Sequence, residues 1–225
     1  MNQPLPPDLW EVLRARFSPA RQQRILDVVG KRTAHVRLVL QDVHLPHNIS
    51  ACLRSAEAFG VSHCDIVRIK PSRFKPSGAA RGVESWLQVQ AYSSIPECAA
   101  ILKASGYHIV AAIPRQEAVV LEAVPIDKPL AVLFGNEHAG VDPQWNDYID
   151  GYFTIPMCGM VESLNISVSA AVSLFSLTQR MQAELPPETY YLSQVQQQAL
   201  LGEWVSRQLP RSWEMEYDRY KRGVV

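Results

Sequence analysis

Short apolar runs rich in β-branched residues recur along this chain, separated by stretches with helical spacing. That alternation narrows the fold more than any other feature. The runs are HVRLVLQDV (35–43), HCDIVRI (63–69), SWLQVQAY (85–92), YHIVAAI (107–113), PLAVLFG (129–135) and GYFTIP (151–156). Their length favours strand over helix. PLAVLFG is apolar almost throughout, as a strand covered on both faces must be. Between the strands, PHNISACLRSAEAFGV (46–61) spaces its Ser, Ala and Leu for a helix and reaches a natural stop at Gly60. IPECAAILKASG (95–106) follows the same pattern, and a long helix is expected over 163–183. Strands alternating with helices predict an α/β domain around a largely parallel sheet.

That domain is expected over 33–181. Before it, a helical stretch from Asp8 to Phe17 is interrupted by Pro19 and followed by a second from Arg21 to Val29, giving an N-terminal helical extension over 1–32. After it, Pro186 and Pro187 break the long helix, and LSQVQQQALLGEWVSRQ (192–208) begins a C-terminal helical extension over 182–225. A chain of 225 residues is long enough for one sizeable core. No run approaches the ~18 apolar residues of a membrane span, and the first residues carry no apolar signal core, so a cytoplasmic protein is expected. Cys52, Cys64, Cys98 and Cys158 stand apart from one another, which fits a reducing compartment.

Net charge is zero, but its distribution is uneven. Residues 1–37 hold seven Lys or Arg against three acids, and residues 68–81 hold five against none. A neutral protein with two basic segments can present a basic face to a polyanion. The alternative is a set of solvated helix and loop charges.

Three polar clusters fall at the C-terminal ends of expected strands, where ligands bind in an open α/β sheet. In HLPHNISACLRSAEAFG, Asn48 stands as a helix N-cap and Arg54 lies six residues on, among residues suited to close packing. In LFGNEHAGVDP, two glycines and Asn136 permit a turn with unusual backbone angles. His138 has no spaced His or Cys partner, so no metal site is expected. In IPMCGMVESLNISVSAAVSLF, Ser163 stands as the N-cap, Asn165 falls in the first turn, and Ser169 and Ser173 mark a small-residue face. The absence of G-x-G-x-x-G and of G-x-x-x-x-G-K-[ST] argues against dinucleotide and P-loop folds.

Taken together, NISACLRSAEAFG, LFGNEHAGVDP and IPMCGMVESLNISVSAAVSLF resemble the three motifs of the SpoU/TrmH-type RNA ribose 2'-O-methyltransferases of the SPOUT superfamily. The resemblance covers roughly residues 33–181. The short flanks resemble those of the tRNA members that methylate guanosine 18, with no room for the larger N-terminal RNA-binding domain of ribosomal RNA members. The resemblance implies an α/β fold with a C-terminal deep trefoil knot, a homodimer, and S-adenosylmethionine bound in the knotted loops. Ala112, Gly135, Ile155, Met157, Leu164 and Asn165 would line the cofactor. Arg54 would be the catalytic arginine, with Asn48 orienting it or the ribose, and Glu137, Ser163 and Asn165 fixing the loops. Because a guanidinium with a pKa above ~12 is a poor proton acceptor, Arg54 is expected to stabilise the developing alkoxide and the adjacent phosphate. tRNA phosphates would fall to Arg14, Arg16, Arg21, Arg24 and Arg32, with Arg73, Lys75 and Arg81 next. The alternatives are ribosomal RNA, another tRNA position, or RNA binding without catalysis.

Overall fold

A computed structural model describes residues 5–69, 82–114, 118–209 and 213–223. In chain order, helices α1 (Leu9–Leu13) and α2 (Pro19–Val29) come first. They are followed by β1 (Thr33–Gln41), α3 (Pro46–Ala58), β2 (Val61–Val67), β3 (Gln88–Tyr92), α4 (Ile95–Ala104) and β4 (His108–Ala112). Next come β5 (Val119–Val120), β6 (Leu130–Phe134), β7 (Gly151–Thr154) and α5 (Ile166–Glu184). The chain ends with α6 (Pro187–Tyr190), α7 (Gln194–Gln208) and α8 (Trp213–Lys221). Residues Thr33–Tyr190 form one compact unit, and the chain up to Arg32 joins the chain from Tyr191 in a second.

The first unit holds a seven-stranded sheet in the order β3-β2-β1-β6-β4-β7-β5, every pair parallel. β6 sits at its centre with all five residues buried, as the apolar run predicts. Its Val132 is in register with Leu38 of β1 and Val110 of β4. From β1 the chain builds outward through β2 and β3, then returns to build β4 beyond β6. This reversal is a topological switch point, where the strand-following loops diverge and leave a crevice.

On one face of the sheet, Ile95, Cys98, Ala99 and Leu102 of α4 pack with Val39, Val67, Ile109, Ala131 and Leu133. α3 packs against β2 and against α5, which buries Ala170, Ser173, Leu174 and Leu177. Beside the α4 core, Arg37 of β1 forks onto Asp65 of β2, with Nη2 donating at 2.8 Å and Nε also bonded. The guanidinium lies 5.7 Å from the ring centre of Tyr107. Asp65 is fully buried, so this pair is justified only by its two-pronged geometry. Arg37 therefore contributes nothing to a basic face.

Several boundaries differ from expectation. Pro19 opens α2 instead of interrupting a helix: it occupies the first turn, where its missing N–H is harmless, and Ser18 Oγ caps Arg21 N. α5 begins at Ile166, not 163, because Asn165 is its N-cap and accepts from Ser167 N. The SWLQVQAY run enters the sheet only at Gln88, after a short 3-10 turn over Glu84–Trp86.

The second unit is helical. α1 packs against α7 and α8, and α2 against α7, around buried Leu9, Trp10, Leu13, Leu201, Trp204 and Val205. The mixed charges of the C-terminal segment pair with the N-terminal one. Arg16 Nε donates to Glu216 at 2.8 Å, and Asp8 accepts from Tyr217 Oη at 2.6 Å and Lys221 Nζ at 2.8 Å. Arg32 is only 1% exposed, its guanidinium 5.3 Å from the ring centre of Trp204.

Candidate active site

The segments after β1, β4, β6 and β7 converge at the switch point around a cavity of about 640 Å³, within the range of small-molecule sites. Phe134, Phe153, Ile155, Met157 and Leu164 give it apolar walls. Its polar lining includes Asn48 at the start of α3, Asn136 and Glu137 after β6, and Glu162, Ser163 and Asn165 before α5.

The loop after β6 is tightly closed. Asn136 and Gly140 exchange two backbone hydrogen bonds of 2.9 Å. A Cβ on Gly135 would lie 2.3 Å from the Gly140 carbonyl carbon, so no side chain fits there. Gly140 adopts φ +71°, a left-handed conformation that glycine accepts at no steric cost. Asn136 Oδ1 accepts from the N–H groups of His138 and Ala139 at 2.9 Å each, while its Nδ2 donates to the Asp42 carbonyl at 2.7 Å. The closed loop presents Glu137 to the start of α3.

From Glu137 a chain of hydrogen bonds runs to the N-terminus of α5. Glu137 Oε2 accepts from His44 N at 3.0 Å, and Oε1 accepts from Asn48 Nδ2 at 2.9 Å. Asn48 Oδ1 accepts from Asn165 Nδ2 at 3.4 Å. Asn165 Oδ1 accepts from Ser167 N at 2.8 Å and Ser167 Oγ at 2.6 Å. The polarity is fixed from both ends. An ionised carboxylate only accepts and a backbone N–H only donates, so both intervening amides must point the same way. Burial alone would raise the Glu137 pKa, but the His44 N–H and the Asn48 amide outweigh it and hold the carboxyl below its ordinary value.

Two cap expectations are corrected by this geometry. Asn48 is the third residue of α3, after Pro46 and His47, and its side chain binds Glu137 instead of capping. Ser163 lies two residues before the true cap Asn165, exposed and on the cavity wall. Asn48, Glu137, Ser163 and Asn165 line one cavity, and so do Ala112, Gly135, Ile155, Met157 and Leu164.

Arg54 is not among them. Six residues at 100° each put it about 120° round α3 from Asn48. It is exposed and has no hydrogen-bond or ion-pair partner among the described residues. The sequence placed it among closely packed residues, but it stands at the edge of that packing. Arg32 is corrected as a phosphate contact, because burial against Trp204 removes it from the surface. Arg14, Arg16, Arg21 and Arg24 are exposed. Arg14 pairs with Glu11, Arg16 with Glu216, and Arg21 with Gln208. Arg24 has no such partner among the described residues. Arg73, Lys75 and Arg81 lie outside the described residues. His44 and Asp42 were not singled out from sequence; the available signal was their position just past the C-terminal end of a buried strand.

Residues 35–175 match the model of the SpoU rRNA methylase family. A tRNA (guanosine(18)-2'-O)-methyltransferase of Thermus thermophilus is 36% identical over 198 residues, covering 84% of this chain and 97% of that enzyme. The Escherichia coli K12 enzyme of the same name is 34% identical, covering 83% of this chain and 82% of its own. Among solved structures, the Aquifex aeolicus TrmH/SpoU tRNA modifying enzyme superposes with a TM-score of 0.77 at 26% identity, covering 85% of this chain and 98% of its own. The SpoU methyltransferase AviRb of Streptomyces viridochromogenes, solved with AdoMet, shares the fold at a TM-score of 0.61 and 22% identity, over 70% of this chain and 65% of its own.

Proposed function

The chain belongs to the SpoU rRNA methylase family, and on that premise we propose that it methylates a ribose 2'-hydroxyl of tRNA, at guanosine 18 of the D-loop, using S-adenosylmethionine. The observation that carries this is the cavity at the switch point, in which Asn48, Glu137 and Asn165 are joined in one hydrogen-bonded chain. The choice of tRNA rests on relatives named for that reaction that match this chain over nearly their whole length. No helix among the described residues is long and apolar enough to cross a membrane.

The lining suits the cofactor. It has apolar walls for a nucleoside, and it carries two carboxylates, Glu137 and Glu162, with no Lys or Arg, a balance that suits a ligand of net positive charge. Ala112, Gly135, Ile155, Met157, Leu164 and Asn165 would hold it. When bound, S-adenosylmethionine supplies a methyl carbon already activated for displacement. What remains for the protein is the poorly ionised hydroxyl, which must be positioned and stabilised as it loses its proton. Asn48 and Asn165 orient the ribose, held in place by Glu137, and Ser163 shapes the loop beside them. Arg54 stabilises the developing alkoxide and the neighbouring phosphate through its fork.

Since Arg54 lies outside the cavity of its own chain, the proposed enzyme is a homodimer. Val168, Val172 and Phe175 are 46%, 39% and 53% exposed and recur at helical spacing on α5, beside α3, which carries Arg54. A second copy covering this stripe would bury it and bring Arg54 to a shared site. The loops after β6 and β7 would thread as a deep trefoil knot, a reading supported by the insertion of β6 between β1 and β4. The helical extensions, 1–32 and 182–225, would bind tRNA phosphates through Arg14, Arg16, Arg21 and Arg24, together with Arg73, Lys75 and Arg81 from the basic segment. The test is transfer of a labelled methyl group from S-adenosylmethionine to unmodified bulk tRNA and, in parallel, to ribosomal RNA, with the labelled nucleotide then mapped. Label on the guanosine 18 ribose is expected. Label only on ribosomal RNA, or on a base, overturns the assignment.

A further inference from the structure

Asp42 is the only residue other than glycine with positive φ among the described residues, at +47°. It sits one residue past β1, where three strands leave the sheet, and bonds to both of the others. Its N–H donates to the Val67 carbonyl at 2.9 Å, and its Oδ1 accepts from Ile69 N at 3.0 Å, so it holds the exit of β2. Its carbonyl accepts from Asn136 Nδ2 at 2.7 Å and so holds the start of the loop after β6. The preceding residue, Gln41, is buried, and its Oε1 accepts from Asp142 N at 2.9 Å at the far end of that loop. Two adjacent residues thus grip the Gly135–Asp142 loop at both ends, and they can do so because the backbone turns left-handed at Asp42. Asp and Asn tolerate that conformation, whereas residues with bulkier or branched side chains resist it.

We propose that Asp42 is a positioning residue for cofactor binding: its left-handed backbone aims the carbonyl that sets the Asn136 amide, and through it the loop carrying Glu137. This rests on the assignment of the cavity to S-adenosylmethionine. The Asp42 carbonyl accepts only, so it fixes Nδ2 of Asn136 toward itself and leaves Oδ1 for the amides of His138 and Ala139. If the carbonyl turns away, Asn136 is free to flip and the closed loop loses its internal cap.

The side chain and the backbone of Asp42 make separate predictions. Asp42→Asn keeps the left-handed tolerance and an acceptor for Ile69, but its amide then faces Gln41 Nε2, which donates to Asp42 Oδ2 at 3.3 Å, so binding is expected to weaken by no more than about threefold. Asp42→Gly keeps the conformation without the acceptor and is expected within about threefold of wild type. Asp42→Val opposes the conformation, at a cost that weakens binding by about tenfold or more. The Kd for S-adenosylmethionine is read by titration calorimetry on protein whose folding is checked by circular dichroism. Amide exchange is read over residues 136–142 without cofactor, where Asp42→Val speeds exchange and Asp42→Asn does not. Asn136→Asp sets a carboxylate against the same carbonyl and should weaken binding to a similar degree, without adding to the loss in Asp42→Val. A folded Asp42→Val protein with wild-type exchange overturns the clamp, and so do additive losses in the double variant. Wild-type protein that binds no S-adenosylmethionine overturns the cavity assignment instead, and the exchange measurement then decides the clamp alone.

Discussion

Glu137→Gln removes one charge and no heavy atoms from the hydrogen-bonded chain, yet it leaves a conflict that no rearrangement relieves. Glutamine has one acceptor oxygen where the carboxylate has two, and Glu137 accepts from donors on both sides, His44 N at 3.0 Å and Asn48 Nδ2 at 2.9 Å. If the new oxygen serves Asn48, the new amide faces the His44 N–H. If it serves His44, Asn48 must flip, Asn165 must flip after it, and the conflict reaches Ser167 N at the head of α5. In every arrangement one donor is left facing a donor. Losing one charge-assisted hydrogen bond costs about 1.5–3 kcal/mol. If that cost falls on the reacting geometry, turnover drops by roughly 10- to 150-fold. The assay is single-turnover methylation of tRNA at saturating S-adenosylmethionine, with the cofactor Kd measured separately. Because the Glu137 carboxyl is held below its ordinary value, its hydrogen bonds persist above that value and are lost only as pH falls through the lower folded one. The wild-type rate should therefore show no acid limb from this group near pH 4.5 or above. A Glu137→Gln enzyme within about threefold of wild type in both rate and Kd would refute the fixed polarity of the chain.

Arg54→Ala should reduce turnover by at least about a hundredfold while leaving cofactor Kd unchanged, since the residue stands outside the cavity. Near-normal turnover in Arg54→Lys would exclude a two-pronged role for the guanidinium. Arg32→Ala should lower stability by on the order of 2 kcal/mol, read by denaturant melts, because its contact with Trp204 is desolvated. Arg24→Ala should instead leave the melt unchanged and reduce the salt slope of tRNA binding by about one. Burial, reinforced by nearby Arg37, pushes His63 down from its ordinary value near 6.5 to about 4. The unfolded chain therefore takes up a proton in that window that the folded one refuses, so stability drops as pH is lowered from about 6.5 to about 4, by up to about 3 kcal/mol from this group. His63→Gln should flatten that part of the pH–stability curve, measured by urea melts between about pH 4 and 7.

The sheet was legible because burial on both faces leaves a mark that neither turn chemistry nor partner choice can erase. Every residue of β6 is buried, and its sequence is apolar throughout. Strand order was not legible. Nothing in PLAVLFG says that it lies between β1 and β4 instead of beside its chain neighbours, because the choice depends on how the crossovers pack. The two-residue β5 is too short to carry a period at all. Pro19 was misread because a proline stops a helix before it and starts one after it, and only the Ser18 cap distinguishes the two. The charges misled for a related reason. Arg32 and Arg37 count as basic in any sequence window, yet one is buried against Trp204 and the other is forked onto Asp65.

At the site, residue types were legible, but the roles that depend on direction were not. Ser163, Asn165 and Ser167 all have cap chemistry, and only the start of α5 at Ile166 shows that Asn165 holds the cap with Ser167 as its donor. Asn48 looked like a cap because it stands just before the small, apolar run of a helix. However, a proline in the first turn already accounts for one orphan N–H, which leaves the third residue free to reach across to Glu137. Asp42 is the extreme case. Its part depends on the sign of one backbone angle, and sequence reports only that Asp tolerates that sign, not that the fold uses it. The motif residues thus supply the groups that face the cavity. Their aim is set by Gln41 and Asp42, which lie outside those motifs and whose ordinary residue types give no sign of it.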